Sequence, residues 1–157
     1  FELSTEYYVY WKRSASQFLL VGKESNARGP DWSKFAAFQL HQAAEAIYRM
    51  VLLTVTLYAP ATHHLGKLRQ RCEAIDPRLA EAWGPERKPF KRYFELLRRA
   101  YVEARYSPAY ETSPEILHWQ AERIARLLKL AEASCQERLT KLKAEARAFK
   151  STSARNS

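Results

Sequence analysis

Residues 35–58 read FAAFQLHQAAEAIYRMVLLTVTLY, and the spacing of the apolar side chains in this stretch decides the fold class. Leu40, Ala44, Ile47, Val51, Val55 and Tyr58 recur at steps of three and four, the repeat of a helix that buries one face. Asp31 is a good N-cap after Pro30, and Ala59-Pro60 forbids continuation, so the pattern predicts a helix from Trp32 to Tyr58. Such a helix is roughly 40 Å long. A second stripe on it holds Phe38, His41, Glu45 and Tyr48. His41 and Glu45 are four apart and meet on one face, with Gln42 beside them. Polar groups among apolar neighbours cost free energy unless they find partners. They therefore either fix the register of a helical bundle or face a bound ligand.

The same period extends to both sides. An aromatic-rich helix is expected from Thr5 to Val21, capped by Ser4, with a loop at Gly22–Pro30. After Pro60, a short helix from His63 to Ile75 is expected under a Thr62 cap. Asp76-Pro77 then starts a turn or short helix through Trp83. Gly84-Pro85 interrupts, and a further helix runs from Glu86 to Tyr106 until Ser107-Pro108. Ser113-Pro114 opens the last helix, in which Leu117, Ala121, Ile124, Leu128, Ala131 and Cys135 form a packing stripe. The stripe continues through Leu139, Leu142, Ala146 and Phe149, an extension that needs another surface, such as that of a second copy. No strand pattern and no internal repeat is present. The fold class expected is all-α: an up-and-down bundle of four main helices plus a short one, with a long C-terminal helix.

A chain of 157 residues suits one domain. It opens on Phe1 rather than Met, so the expectation is an excised C-terminal domain of a longer protein, with residues 1–150 as one helical unit and 151–157 as a disordered tail. Its 26 Lys and Arg against 17 Asp and Glu leave a net charge of +9, which points to a polyanionic partner. Cys72 and Cys135 match no zinc or redox spacing, and two reduced thiols suit a cytoplasmic protein. No apolar run is long enough for a membrane span.

Helix Glu86–Tyr106 supplies much of that charge. Phe90, Phe94, Leu97, Tyr101 and Ala104 are expected to face inward. Lys91, Arg98 and Arg105 recur every seven residues on one side, extended by Arg92 and Arg99. Such an array grips phosphates, because Arg engages two oxygens at once; Glu95 and Glu103 are its local counter-charges. Only two Asp are present, Asp31 and Asp76, too few for the paired-Asp metal site of a polymerase or nucleotidyltransferase. There is no P-loop, dinucleotide fingerprint or His-Glu-x-x-His. No metal or cofactor is expected. The adjacent His63 and His64 diverge on a helix, and one of them is expected as a hydrogen bonder near the cap.

Three segments together resemble HEPN domains, a nucleotide-binding helical family. They are FAAFQLHQAAE at 35–45, TLYAP at 56–60 with HLGKLR at 64–69, and LLRRAYVEARYSPAY at 96–110. The similarity spans about residues 5 to 135. It implies a bundle that is commonly dimeric, and two functional contexts. Some members are endoribonucleases or toxins of toxin–antitoxin pairs; others accompany a minimal nucleotidyltransferase. The ribonuclease members carry an Arg followed four to six residues later by a His. Arg105 fits the Arg, but Ala109 stands where the His would be, so no complete catalytic motif is present and no residue is assigned as catalytic. The resemblance and the basic strip lead to a nucleotide- or RNA-binding and dimerisation domain, working with a nucleotidyltransferase domain or protein. The expected binding residues are His41, Gln42, Glu45, Arg98, Tyr101, Arg105 and Tyr110. A degenerate endoribonuclease and a protein-interaction bundle with a basic face are the alternatives.

Overall fold

The computed structural model describes Phe1–Ser157 and contains helices only. Four long helices form the bundle: α1 (Glu2–Ala27), α2 (Ser33–Thr56), α4 (Lys88–Tyr106) and α5 (Pro114–Asn156), with the short α3 (Leu65–Ile75) between them. Two 3-10 turns, Pro30–Trp32 and Pro77–Trp83, complete the chain. The expected all-α bundle with a long last helix is what the protein adopts.

The middle of the bundle is α2, which packs against α1, α3, α4 and α5. Ala36, Ala37, Ala43, Ala44 and Ala46 are buried along it, and their small side chains let neighbouring helices approach on several sides. Leu40, Ile47 and Val51 of the expected stripe are fully buried, whereas Tyr58 is exposed beyond the helix end. Leu57 closes α2 in the left-handed region, at φ 59°. Tyr48 is fully buried, and its hydroxyl accepts a hydrogen bond from Trp83 Nε1 at 2.9 Å, tying the second 3-10 turn to the core. On α4, Phe94, Leu97, Ala100 and Ala104 face the core, while Phe90 and Tyr101 are half-buried.

Several boundaries differ from the sequence expectation, each for a local reason. Helix α1 runs through Gly22 rather than stopping before it, because Gly22 is a close-contact position against Leu40, not a turn. The turn falls at Gly29, whose φ of 111° favours glycine. Ser4 lies inside α1, buried, and caps nothing. Asp31 sits within the first 3-10 turn, so Trp32 takes the N-cap position of α2. Asp76 and Ser113 do cap, accepting from Arg78 N at 3.1 Å and Ile116 N at 3.2 Å. The segment 151–156, expected as a disordered tail, continues α5: after Pro114 no Pro or Gly interrupts the chain.

With 43 residues, α5 outruns the bundle. Its fully buried stripe ends at Cys135; Leu139 and Leu142 are half-buried and Phe149 is 74% exposed. Leu127 rather than Leu128 is fully buried, as a helix turning 3.6 residues per turn drifts against a strict 3.5 repeat. Cys72 and Cys135 are both buried free thiols. No helix is long and apolar enough to cross a membrane.

Candidate functional site

The polar stripe of α2 is longer than its sequence reading. His41, Glu45 and Arg49 follow at four-residue steps, and all three reach the connection between α2 and α3. His41 Nε2 donates to the His63 main-chain oxygen at 3.1 Å. Arg49 donates to Thr62 O at 2.7 Å and to Pro60 O at 3.3 Å, and its Nε lies 3.6 Å from Glu45. His63 Nδ1 lies 2.6 Å from Glu45 Oε1, so the imidazole donates to the carboxylate. A chain segment with no secondary structure of its own is thus pinned by four bonds from one helix face.

Burial is the chief influence on His41, holding it below its ordinary pKa of 6.5. Both ring nitrogens face oxygens, Nε2 the His63 carbonyl and Nδ1 the Gln42 Oε1 at 3.2 Å, and these contacts offset part of the effect of burial. This carries a linkage consequence. The unfolded chain takes up a proton on His41 near pH 6.5, and the folded chain resists until lower pH. The stability due to neutral His41 is therefore complete above 6.5 and declines as pH falls below it. Urea unfolding of wild type and His41→Gln between pH 7.5 and 5 is expected to show a smaller acid loss in the variant. Equal losses would contradict a buried neutral histidine.

Opposite the connection stands α4. The His63 ring stacks on Tyr101, with centroids 4.1 Å apart and planes 12° from parallel. His41 and Phe38 lie beneath the same tyrosine at 5.4 and 5.9 Å. The seam opens into a cleft of about 390 Å³ lined by His63, His64, Arg98, Arg99, Tyr101, Val102 and Glu103, within the size range of small-molecule sites. His64 caps α3, its Nδ1 accepting from Lys67 N at 3.2 Å, so the expectation of a capping histidine holds for His64.

The basic strip is partly neutralised. Arg98 Nε and Nη2 are engaged by Glu95, and Arg99 Nε and Nη2 by Glu103. What remains is informative. His64 uses Nδ1 as an acceptor, so its Nε2 carries the proton, and Arg98 Nη1 faces that nitrogen at 3.5 Å. Both groups border the cleft, where an anionic oxygen set beside them can accept from each.

The remaining predicted residues fall in different positions. His41 and Glu45 are buried behind the cleft rather than lining it, because Tyr101 and His63 stand in front of them. Arg105 lies on the other side of Tyr101. Its guanidinium sits over Phe38, Tyr101 and Tyr106 at 4.5–4.9 Å, and its Nε donates to Tyr101 O at 2.7 Å. Tyr110 is turned inward, its hydroxyl donating to Leu96 O at 2.7 Å, and it braces the end of α4. Ala109 is exposed in the connection after α4. His63 and Arg49 were missed as members of the polar group. The four-residue step from Glu45 to Arg49 was visible; the approach of His63 was not, since it depends on how the chain turns after Pro60.

Comparison with known families agrees with this architecture. The HEPN domain profile matches residues 8–142. The chain belongs to the HEPN domain family. HEPN membership supports a general nucleotide- or RNA-related role, and HEPN domains commonly bind RNA and dimerise. A search of curated proteins returns no matching relative.

Proposed function

We propose that this HEPN domain binds RNA or a nucleotide through the cleft between His63–His64 and α4, with a phosphate held by Arg98 and His64. The carrying observation is the pair of facing donors, Arg98 Nη1 and His64 Nε2, on a chain of net charge +9. Arg99 adds charge at the rim, and Tyr101 with His63 offers a stacked platform beside the phosphate. Arg105 reaches the ligand only by leaving its bond to the Tyr101 carbonyl, and Tyr110 supports the wall rather than touching the ligand. Titration of a fluorescent oligoribonucleotide at 50–300 mM salt tests the reading. Affinity is expected to fall with a log–log slope of about −0.7 per phosphate neutralised. Absent or salt-independent binding would count against it.

A second reading concerns assembly. The uncovered end of α5, with Phe149 exposed, favours a partner surface: a second copy, or a nucleotidyltransferase domain or protein as the HEPN context suggests. Sedimentation of wild type and Phe149→Glu checks the first option, which predicts dissociation of a dimer in the variant.

A further inference from the structure

We infer that the outer part of α5, from Leu139 to Asn156, is one half of a coiled coil whose other half is an acidic heptad helix of a different protein. The inference rests on the assembly reading above and narrows its choice of occupant. It does not depend on the RNA cleft.

Charge is concentrated here as well as on α4. Residues 138–157 hold Arg138, Lys141, Lys143, Arg147, Lys150 and Arg155 against a single acid, Glu145. They carry +5 of the net +9, and the rest of the chain shares +4. The two basic regions differ in how their cations are held. On α4, Lys91, Arg98 and Arg99 pair with Glu86, Glu95 and Glu103. None of the six cations on the outer part of α5 forms an ion pair. Arg138 lacks an acceptor even at its buried Nε, and an orphaned buried donor is a cost that an incoming carboxylate relieves.

The apolar spacing gives the shape of the partner. Leu139, Leu142, Ala146 and Phe149 recur at steps of three and four, the a and d positions of a heptad. Leu139 is the last of them packed on the core, and Phe149 is 74% exposed. In this register Arg138, Lys143 and Lys150 flank the seam at g and e positions, where charge sets partner choice. At the root of the segment lies a groove of about 870 Å³, with Val55 and Ile75 in its lining and Arg138 and Lys141 on its wall. Arg78 in the same groove is already held by Asp76 and Glu137. The groove offers a seat for the end of a helix lying along the seam.

These features choose among occupants. A second copy would set Arg138 against Lys143 in a parallel pair, or Lys143 against Lys150 in an antiparallel one. An anionic bilayer would accept the cations, but Phe149 is the one large apolar side chain exposed on this segment, too little area for firm insertion. Phosphates of a nucleic acid gain nothing from an apolar seam. A helix with apolar a and d residues and Glu at e and g answers both features. It covers Ala146 and Phe149, and its carboxylates meet Arg138, Lys143 and Lys150. The small Ala146 lets the two helices approach closely.

The probe is a labelled synthetic peptide of about three heptads, with Leu at a and d and Glu at e and g, titrated with the full chain. It is expected to bind, and a counterpart with Lys at e and g to bind at least about 30-fold more weakly. Phe149→Ser is expected to cost about 10-fold in affinity for the Glu peptide. Lys143→Glu combined with Lys150→Glu should reverse the preference between the two peptides. A Glu peptide with Ser at a and d should not bind; equal binding would reduce the segment to a general polyanion surface and overturn the pairing. Vesicles of mixed phosphatidylcholine and phosphatidylserine should not compete with the peptide, and competition would transfer the segment to a membrane. A wild-type dimer that Phe149→Ser dissolves in sedimentation would give the seam to a second copy. Oligoribonucleotide affinity should be equal in wild type and Phe149→Ser; a loss in the variant would place the seam in the RNA surface instead. Failure of the Glu peptide to bind, with RNA binding intact, overturns the pairing and leaves the cleft standing.

Discussion

Arg98→Ala combined with Arg99→Ala is expected to weaken binding of single-stranded RNA by about 100-fold at low salt, the loss of roughly 3 kcal/mol of charge-assisted contact. Both guanidinium groups border the cleft, and each has one terminal nitrogen beyond the two that its glutamate occupies. Removing them takes away two cationic donors and also exposes Glu95 and Glu103, whose freed carboxylates then repel the incoming phosphates. The salt slope should become shallower by about 1.4, two phosphate contacts on a single strand. Arg105→Ala makes the discriminating comparison. Its guanidinium lies against Phe38 and Tyr101 and is bonded to the Tyr101 carbonyl, so its removal should cost affinity much less. Fluorescence anisotropy over a range of salt measures all three proteins. A double variant within threefold of wild type would place the phosphates elsewhere, and a larger loss in Arg105→Ala would move the site to the far side of Tyr101.

Gly22→Leu is expected to lower unfolding free energy by about 3 kcal/mol, the upper part of the range for overpacked cores. A Cβ at this position would stand 2.6 Å from Leu40 Cδ2 and 2.9 Å from Cγ, distances at which something must shift. Leu40 is fully buried on the central helix, between elements that all contact it, so it has little room to yield. Glycine inside a helix ordinarily costs about 1 kcal/mol against alanine. Its presence in α1 is explained by the close approach of α1 to α2, not by a turn. A thermal melt followed by far-ultraviolet circular dichroism should show a midpoint about 6–12 °C lower for Gly22→Leu. Gly22→Ala should change it little, because gained helix propensity offsets a smaller displacement of Leu40. Pairing Gly22→Ala with Leu40→Ala relieves the contact but opens a cavity. An unchanged or raised midpoint in Gly22→Leu would mean that the two helices are farther apart than described.

The first prediction turns on α4 and the second on α2, and together they show where sequence pattern is informative. Periodicity located every long helix, because burying one face of a helix leaves a repeat that needs no knowledge of the partner. Caps at Asp76 and Ser113 were legible for a similar reason, since each acts on backbone groups two or three residues away. Gly22 was misplaced because a glycine in a turn and a glycine under a neighbouring helix look alike in sequence. The tail past Lys150 was expected to fray on polarity, yet it lacks any residue that breaks a helix, and α5 continues to Asn156.

The candidate site divides along the same line. The sequence by itself determined that this chain forms a helical bundle, that its surface is basic, and that His41, Gln42 and Glu45 interrupt an apolar face. Those are properties of composition and local spacing. Only the tertiary structure decided what the interruption is for. His41, Glu45 and Arg49 bond to residues 60–63, across an irregular connection whose path no helical period encodes. Once that connection is held down, His63 comes to lie on Tyr101 and His64 beside Arg98, groups separated by more than thirty residues in the chain. A binding cleft is a relation between distant segments, and it exists only after the core has fixed how those segments pass one another.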